Sequence, residues 1–421
     1  MCIGFCTGCC GAFAGTALGH CLCSCCSIGP SRVAAKFLYG GMFLASVVVA
    51  WVLRDYATDA LYNLYSECNP YTTFGANHGD SFIGMLWWYS RFQSCGPNNP
   101  GCVGALAVLR VSFGLCLFFA LMLSTTAGAK LERSCRDLWH SGWWPPKLIL
   151  WLLLLFLPFL LPYQVFQVYG EVAIAGAAVF LVIQLVSIIN FIYVWNDSWL
   201  NNDKMHVWMA VVSVVCYLLF LTGIILMYIY FAPSSSCSLN IFFITFLLVL
   251  VVALTAISVH PKVDAGPLTT GVMAVYFVFL CWSAIMSEPP AEACNTRPRQ
   301  TGYGGWLDIL AFIVALISIA ISVYATGIDS RCFSLRPQDE ESAGNGEVPY
   351  GYGFFHLVFL TGSMYMAMIL LGWNMNQTPV EWSIDAGWIS TWVKMALLWL
   401  SALVYLWTLI APFVLRGREF R

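Results

Sequence analysis

Apolar stretches of about twenty residues recur along this chain, and nothing else in the sequence limits its fold so strongly. They fall at about Lys36 to Leu53, Val103 to Ser124, Leu148 to Phe166, Val172 to Trp195, Val207 to Phe231, Asn240 to His260, Leu268 to Ser287, Trp306 to Ala325, Phe354 to Trp373 and Thr391 to Leu415. A helix needs roughly 20 such residues to cross a hydrocarbon core of about 30 Å. Lipid offers no hydrogen bonds, so every backbone group in such a run must be satisfied internally, and each run reads as a helix. Only 10% of the residues are charged, against about 25% in an ordinary soluble domain. The expected fold class is therefore an all-α polytopic membrane protein with about ten transmembrane helices. The membrane domain spans residues 34–415, between a Cys-rich segment (1–33) and a short carboxyl-terminal tail (416–421).

Orientation follows from the basic residues, which are retained on the cytosolic side. With the amino terminus in the cytosol, that side holds Arg32, Lys36, Lys130, Arg133, Arg136, Lys147, Lys204, Lys262, Arg331, Arg336, Arg416, Arg418 and Arg421. The other side, span ends included, holds Arg54, Arg91, Arg110, Arg297, Arg299 and Lys394. Thirteen against six places both termini in the cytosol. A net charge of −2 and the lack of a basic stripe interleaved with aromatics set nucleic-acid binding aside. The amino terminus has no charged region ahead of its apolar residues, so the first span is expected to serve as its own signal.

Three connections exceed the short loops usual in a bundle: a lumenal loop at 54–102, a cytosolic loop at 125–147 and an acidic cytosolic loop at 326–353. The last carries Asp339, Glu340, Glu341 and Glu347, a composition suited to a solvated spacer. Pro158 and Pro162 interrupt the third span, yet no proline follows until Pro233. The spacing predicts one unbroken helix from Tyr163 to Trp195, about 50 Å long and longer than the bilayer core. Gly170 and Glu171 are its weakest point.

The cysteines divide by position. Cys68, Cys95, Cys102, Cys237 and Cys294 lie in predicted lumenal loops, where an oxidising compartment favours one or two disulfides of undetermined pairing. The amino-terminal group includes Cys6, Cys9, Cys23 and Cys26, a pair of CxxC motifs near zinc-site spacing. Its apolar surroundings beside a span favour acylation instead, with Cys21, Cys23, Cys25 and Cys26 as candidates; no metal or cofactor is expected. Residue 2 is Cys2, which excludes myristoylation.

Polar groups inside the spans are few: Arg110, Glu171, Gln184, Asn190, Asp308 and Lys394. Such residues are functional candidates, although Glu171, Asp308 and Lys394 lie near a predicted lumenal boundary, where structural ion pairing is the plainer reading. Trp195, Asn196, Asp197, Ser198 and Trp199 end the long helix with groups that can bind a zwitterionic headgroup; interfacial anchoring and helix termination account for them equally well. His260 and Lys262 sit at a helix end where cations meet anionic headgroups, or simply complement the helix dipole.

Several strings now stand together: Trp195-Asn196-Asp197-Ser198-Trp199, Ile257-Ser258-Val259-His260-Pro261-Lys262, Trp282-Ser283-Ala284 followed by Ser287-Glu288-Pro289 and Cys294, and Trp392-Val393-Lys394 with Tyr405-Leu406-Trp407-Thr408-Leu409-Ile410-Ala411-Pro412. In order, and with the Cys-rich amino terminus, they resemble the serine incorporator family, the TMS/TDE membrane proteins, over nearly the whole chain. The resemblance implies ten helices in two bundles bisected by a long diagonal fourth helix. It also implies a role in incorporating serine into phosphatidylserine and sphingolipids, or ATP-independent phospholipid scrambling. The antiviral activity of some animal members does not carry over. The short acidic loop departs from animal members and fits a plant or protist member.

Three classes of function follow. A lipid-handling protein would let headgroups of phosphatidylserine, phosphatidylcholine or sphingolipids cross along a groove between the bundles, and would help serine-lipid synthases indirectly. An enzyme should show clustered acid/base or metal-binding residues near the membrane surface; neither an acidic metal motif nor an HxxxxD acyltransferase motif occurs, so no enzymatic activity is expected. A secondary transporter of serine or another small solute should show matched helix breaks in two halves, and only the Pro158/Pro162 break is visible. Lumenal disulfides point to the secretory pathway: Golgi, plasma membrane or endosomes.

Overall fold

The computed structural model describes residues 32–56, 100–128, 135–200, 205–263, 265–289, 294, 306–328, 351–374 and 384–414. In chain order the described helices are α1 (Arg32–Asp55), α2 (Pro100–Thr126), α3 (Cys135–Ser141), α4 (Trp144–Phe156), α5 (Tyr163–Leu200), α6 (His206–Phe231), α7 (Ser238–Ser258), α8 (Pro267–Met286), α9 (Trp306–Ile328), α10 (Tyr352–Leu370) and α11 (Trp388–Val414). Eight of them are long and apolar enough to cross a membrane. The other two predicted spans are the shorter apolar stretch Trp144–Leu160 and α9, whose described apolar stretch is Leu316–Thr326. The chain is an all-α, multi-pass integral membrane protein.

Prolines set the irregular points. Pro145 and Pro146 open α4 in the first helical positions, where the missing N–H costs nothing. Pro158 then converts the end of α4 into a 3₁₀ turn, Leu157–Leu160, and Leu161 is extended. The third predicted span is therefore broken, and Phe166 belongs to α5. The fourth is longer than its hydropathy suggests: α5 is continuous for 38 residues, about 57 Å, straight through Gly170 and Glu171. It also runs past Asn196, Asp197 and Ser198 to Leu200. A tilted ring contact of Phe191 with Trp195 and an edge-on contact of Trp195 with Trp199, each one helical turn apart, support that last stretch.

The chain divides into two compact units. Unit 1 comprises residues 1–184 and 305–384. At its centre α2 packs against α1, α4 and α10. Gly114 makes the α2–α4 approach possible, because a Cβ there would collide with the Leu154 carbonyl oxygen. Phe43, Phe118, Phe119, Phe355 and Phe359 fill the interior. Unit 2 comprises residues 185–304 and 385–421, with α8 packed against α6, α7 and α11 around Phe243, Leu247, Met273, Phe277, Leu398 and Tyr405. The first part of α5 belongs to unit 1 and the remainder to unit 2.

Candidate functional site

The polar residues of α5 form two exposed groups. Gln164, Gln167 and Glu171, spaced i, i+3 and i+7, share one face near the start of the helix, and all three are exposed. Near the other end, Asp197 and Ser198 are exposed while Asn190, Trp195, Asn196 and Trp199 are half-buried. Asn190 and Asp197 are seven residues apart and fall on one line of the helix. The Asn196 Oδ1 has no hydrogen-bond partner among the described residues. Between the groups, the Gln184 Nε2 donates to Ser322 Oγ at 2.7 Å, and the Tyr193 hydroxyl meets Thr408 Oγ1 at 2.8 Å. Both exposed groups lie at the ends of α5, flanking its apolar stretch Val172 to Trp195, where they offer hydrogen-bond partners to a polar headgroup.

Arg110 has a different setting. It is fully buried on α2, donates to the carbonyl oxygens of Phe159 at 3.2 Å and Leu161 at 3.5 Å, and lies over the rings of Phe159 and Phe166. Those carbonyls belong to the Pro158/Pro162 break, where regular helical donors are missing. The arginine thus satisfies a discontinuous helix. Nearby, Ser112 bonds the Tyr169 hydroxyl at 2.7 Å and the Ser363 carbonyl at 2.8 Å.

In unit 2, Lys394 pairs with Asp385 at 2.7 Å and donates to Ser287 Oγ at 2.6 Å and to the Ser283 carbonyl at 3.2 Å. These contacts tie the start of α11 to the end of α8. The bridge Cys237–Cys294, with Cα atoms 5.6 Å apart, fastens the start of α7 to the segment beyond α8. His260 and Lys262 lie in the exposed turn after α7, where the Lys262 N–H donates to His260 Nδ1 at 3.2 Å. Cys21, Cys23, Cys25, Cys26, Cys68 and Cys95 lie outside the described residues. Cys102 and Asp308 sit on α2 and α9, but their side chains are also outside the described set. Among the described residues, no group of three or more His, Cys, Asp and Glu is arranged to hold a metal ion.

Sequence reasoning missed a second polar centre in unit 1. Asp137, His140, Lys147, Tyr352 and His356 are all buried. The His140 Nδ1 lies 3.0 Å from His356 Nε2, the Tyr352 hydroxyl donates to Asp137 Oδ1 at 2.7 Å, and the Lys147 ammonium donates to the His140 carbonyl at 2.9 Å. Lys147 also sits within 4.6 Å of the Trp144 ring, 5.2 Å of Trp139 and 5.4 Å of Tyr39. His140 stacks on Tyr352 with centroids 3.9 Å apart. Burial, and then the nearby Lys147 charge, push the His140 imidazole down to about 3, so it is neutral at pH 7. The one local signal was the clustering of Trp139, Trp143 and Trp144 around Lys147, which marks a cation held by rings.

Fold and polar interior together define a multi-pass helical membrane protein that keeps polar groups inside its bundles and along one long helix. The family model described as "Serine incorporator (Serinc)" matches residues 8–346 and 334–418, so the chain belongs to the serine incorporator family. A probable serine incorporator of Nematostella vectensis is 29% identical over 370 residues, covering 76% of this chain and 81% of that protein. Serine incorporator 3 of Mus musculus is 25% identical over 95% of both chains. A probable serine incorporator of Dictyostelium discoideum is 30% identical over 80% of this chain and 91% of its own length.

Proposed function

We propose that this chain is an ATP-independent phospholipid scramblase, in which α5 offers polar groups to headgroups while acyl tails stay in hydrocarbon. The observation that carries this reading is the exposed polar surface of α5: Gln164, Gln167 and Glu171 toward one end, Asp197 and Ser198 toward the other. Moving a headgroup through lipid is opposed by its desolvation. Side chains that replace water's hydrogen bonds lower that barrier without making or breaking a covalent bond, so the activity needs no cofactor and no enzymatic step. The substrates are phosphatidylserine and phosphatidylcholine, with sphingolipids a further class. Incorporation of serine into phosphatidylserine and sphingolipids is then aided indirectly, by clearing product from a synthase's leaflet. Both termini face the cytosol of a secretory-pathway membrane, and the amino-terminal cysteines carry acyl chains.

The test is reconstitution of the full chain into liposomes carrying fluorescent phosphatidylserine or phosphatidylcholine, with dithionite added outside. Bleaching well beyond the outer-leaflet share, without ATP, is the expected result; bleaching that stops at the outer leaflet in vesicles holding folded protein overturns the proposal. A secondary transporter of serine is the alternative, favoured by the helix break that Arg110 caps, since a discontinuous span beside a cation suits a carboxylate. Uptake of radiolabelled serine into the same vesicles, with scrambling absent, would select it.

A further inference from the structure

The charge on α5 has one sign. Its 38 residues include two carboxylates, Glu171 and Asp197, and no lysine or arginine. Both carboxylates are exposed, and neither forms an ion pair among the described residues. From Glu171 to Asp197 the helix rises about 39 Å, and about 37 Å along the bilayer normal at a usual tilt of about 20°. A hydrocarbon core of about 30 Å fits between them. One carboxylate therefore stands near each edge of the core, at the depth where headgroups lie, and each leaflet's entrance to α5 has its own. The other exposed polar groups do not discriminate among phospholipids: the amides of Gln164 and Gln167 and the hydroxyl of Ser198 donate to the phosphate that all of them share. A carboxylate does discriminate. It only accepts hydrogen bonds, it repels a phosphate, and it attracts a cationic nitrogen, more strongly as water is excluded.

We infer that α5 selects headgroups by their cationic nitrogen, through Glu171 on one side of the membrane and Asp197 on the other. Favoured substrates are phosphatidylcholine, phosphatidylethanolamine and phosphatidylserine; phosphatidylglycerol and phosphatidic acid, which have no such nitrogen, are disfavoured. Such selection rests on α5 being the scrambling route and defines the substrate class of that route. Because no cation on α5 offsets the two carboxylates, a headgroup without a positive charge meets repulsion at both entrances.

The test follows dithionite bleaching in phosphatidylcholine liposomes holding the full chain. The liposomes are doped in turn with a trace of acyl-labelled fluorescent phosphatidylcholine, phosphatidylserine or phosphatidylglycerol. Phosphatidylserine and phosphatidylglycerol carry the same net negative charge, so a rate gap between them reads the ammonium and not the overall charge. Phosphatidylserine should exchange about fivefold faster than phosphatidylglycerol, the ratio expected of one water-exposed charge contact, with phosphatidylcholine at least as fast. The double variant Glu171→Gln, Asp197→Asn keeps the shape of both side chains and removes both charges, and should bring that ratio to about one. Because the wild-type ratio stands alone, the selection remains testable if the variant does not fold. Equal wild-type rates for phosphatidylserine and phosphatidylglycerol overturn the selection and leave scrambling intact. A ratio unchanged in the folded variant overturns its assignment to these carboxylates. No exchange of any of the three lipids overturns the scrambling reading itself, and the selection with it.

Discussion

Unit 1 and unit 2 each remove a lysine from water, by different means. In unit 2, Lys394 is met by a carboxylate, a hydroxyl and a carbonyl, with the carboxylate 2.7 Å away. In unit 1, Lys147 is fully buried, and its contacts are the His140 carbonyl and the faces of three aromatic rings. An ion pair is fragile to loss of one member, because the other is left charged and uncompensated. Among the described residues no carboxylate pairs with Lys147, so its removal leaves no ion-pair partner there uncompensated. The same residue type should therefore respond to substitution in opposite ways.

The largest effect is expected at the ion pair. Asp385→Ala strands the Lys394 charge and should cost about 2 to 3 kcal/mol, toward the low end because both side chains keep some exposure. Its measure is the detergent-solubilised protein's unfolding midpoint, and Lys394→Met in the same background should recover much of the loss. A double variant as unstable as the single one would break the comparison.

The unit 1 centre should reveal itself through pH. The His140 imidazole titrates at about 3 in the folded protein and near 6.5 in the unfolded chain. The unfolded chain thus binds the extra proton between those values, and stability falls as pH drops through that window, by about 1.4 kcal/mol per unit. At pH 5 the cost is about 2 kcal/mol relative to pH 7.5. His140→Phe should remove the His140 share of this slope, about 1.4 kcal/mol per unit, as read by midpoints across pH 4.5 to 7.5; a slope unchanged by the substitution would move the acid sensitivity elsewhere, His356 being the nearest second imidazole.

Lys147→Met should change stability by no more than about 1 kcal/mol, since the lost hydrogen bond is offset by the removed desolvation cost. A loss as large as that of Asp385→Ala would mean that Lys147 is charge-paired after all. Smallest is Ser322→Ala, which removes the Gln184 contact within unit 1 and should cost about 0.6 kcal/mol, the typical worth of such a bond between membrane helices.

What could be read from sequence follows the same physics. Lipid leaves the backbone no choice but helices, so the apolar runs announced α1, α2 and α6 to α8 nearly to their ends. Absence of proline after Pro162 announced the continuous α5, although its last turn through Asn196 to Leu200 carries an edge-on Trp195–Trp199 contact that a hydropathy reading ignores. The broken third span was legible as a proline effect; its partner, Arg110, was visible only as an isolated intramembrane charge. The five extramembrane cysteines carried no pairing information, and Cys237–Cys294 emerged only from the fold. The His140–His356 contact joins residues 216 positions apart, and no local pattern encodes it. By sequence, Lys147 reads simply as one of the positive charges on the cytosolic side.

The central claim, that exposed polar groups on α5 carry headgroups across the membrane, is tested most directly by the initial rate of dithionite-accessible lipid exchange. The comparison is between liposomes holding the wild-type chain and liposomes holding a Gln164→Leu, Gln167→Leu, Glu171→Leu variant at matched protein density. The account predicts rapid exchange for the wild type and a rate at least tenfold lower for the folded variant. Equal rates for the two, or no exchange by the wild type, would contradict it.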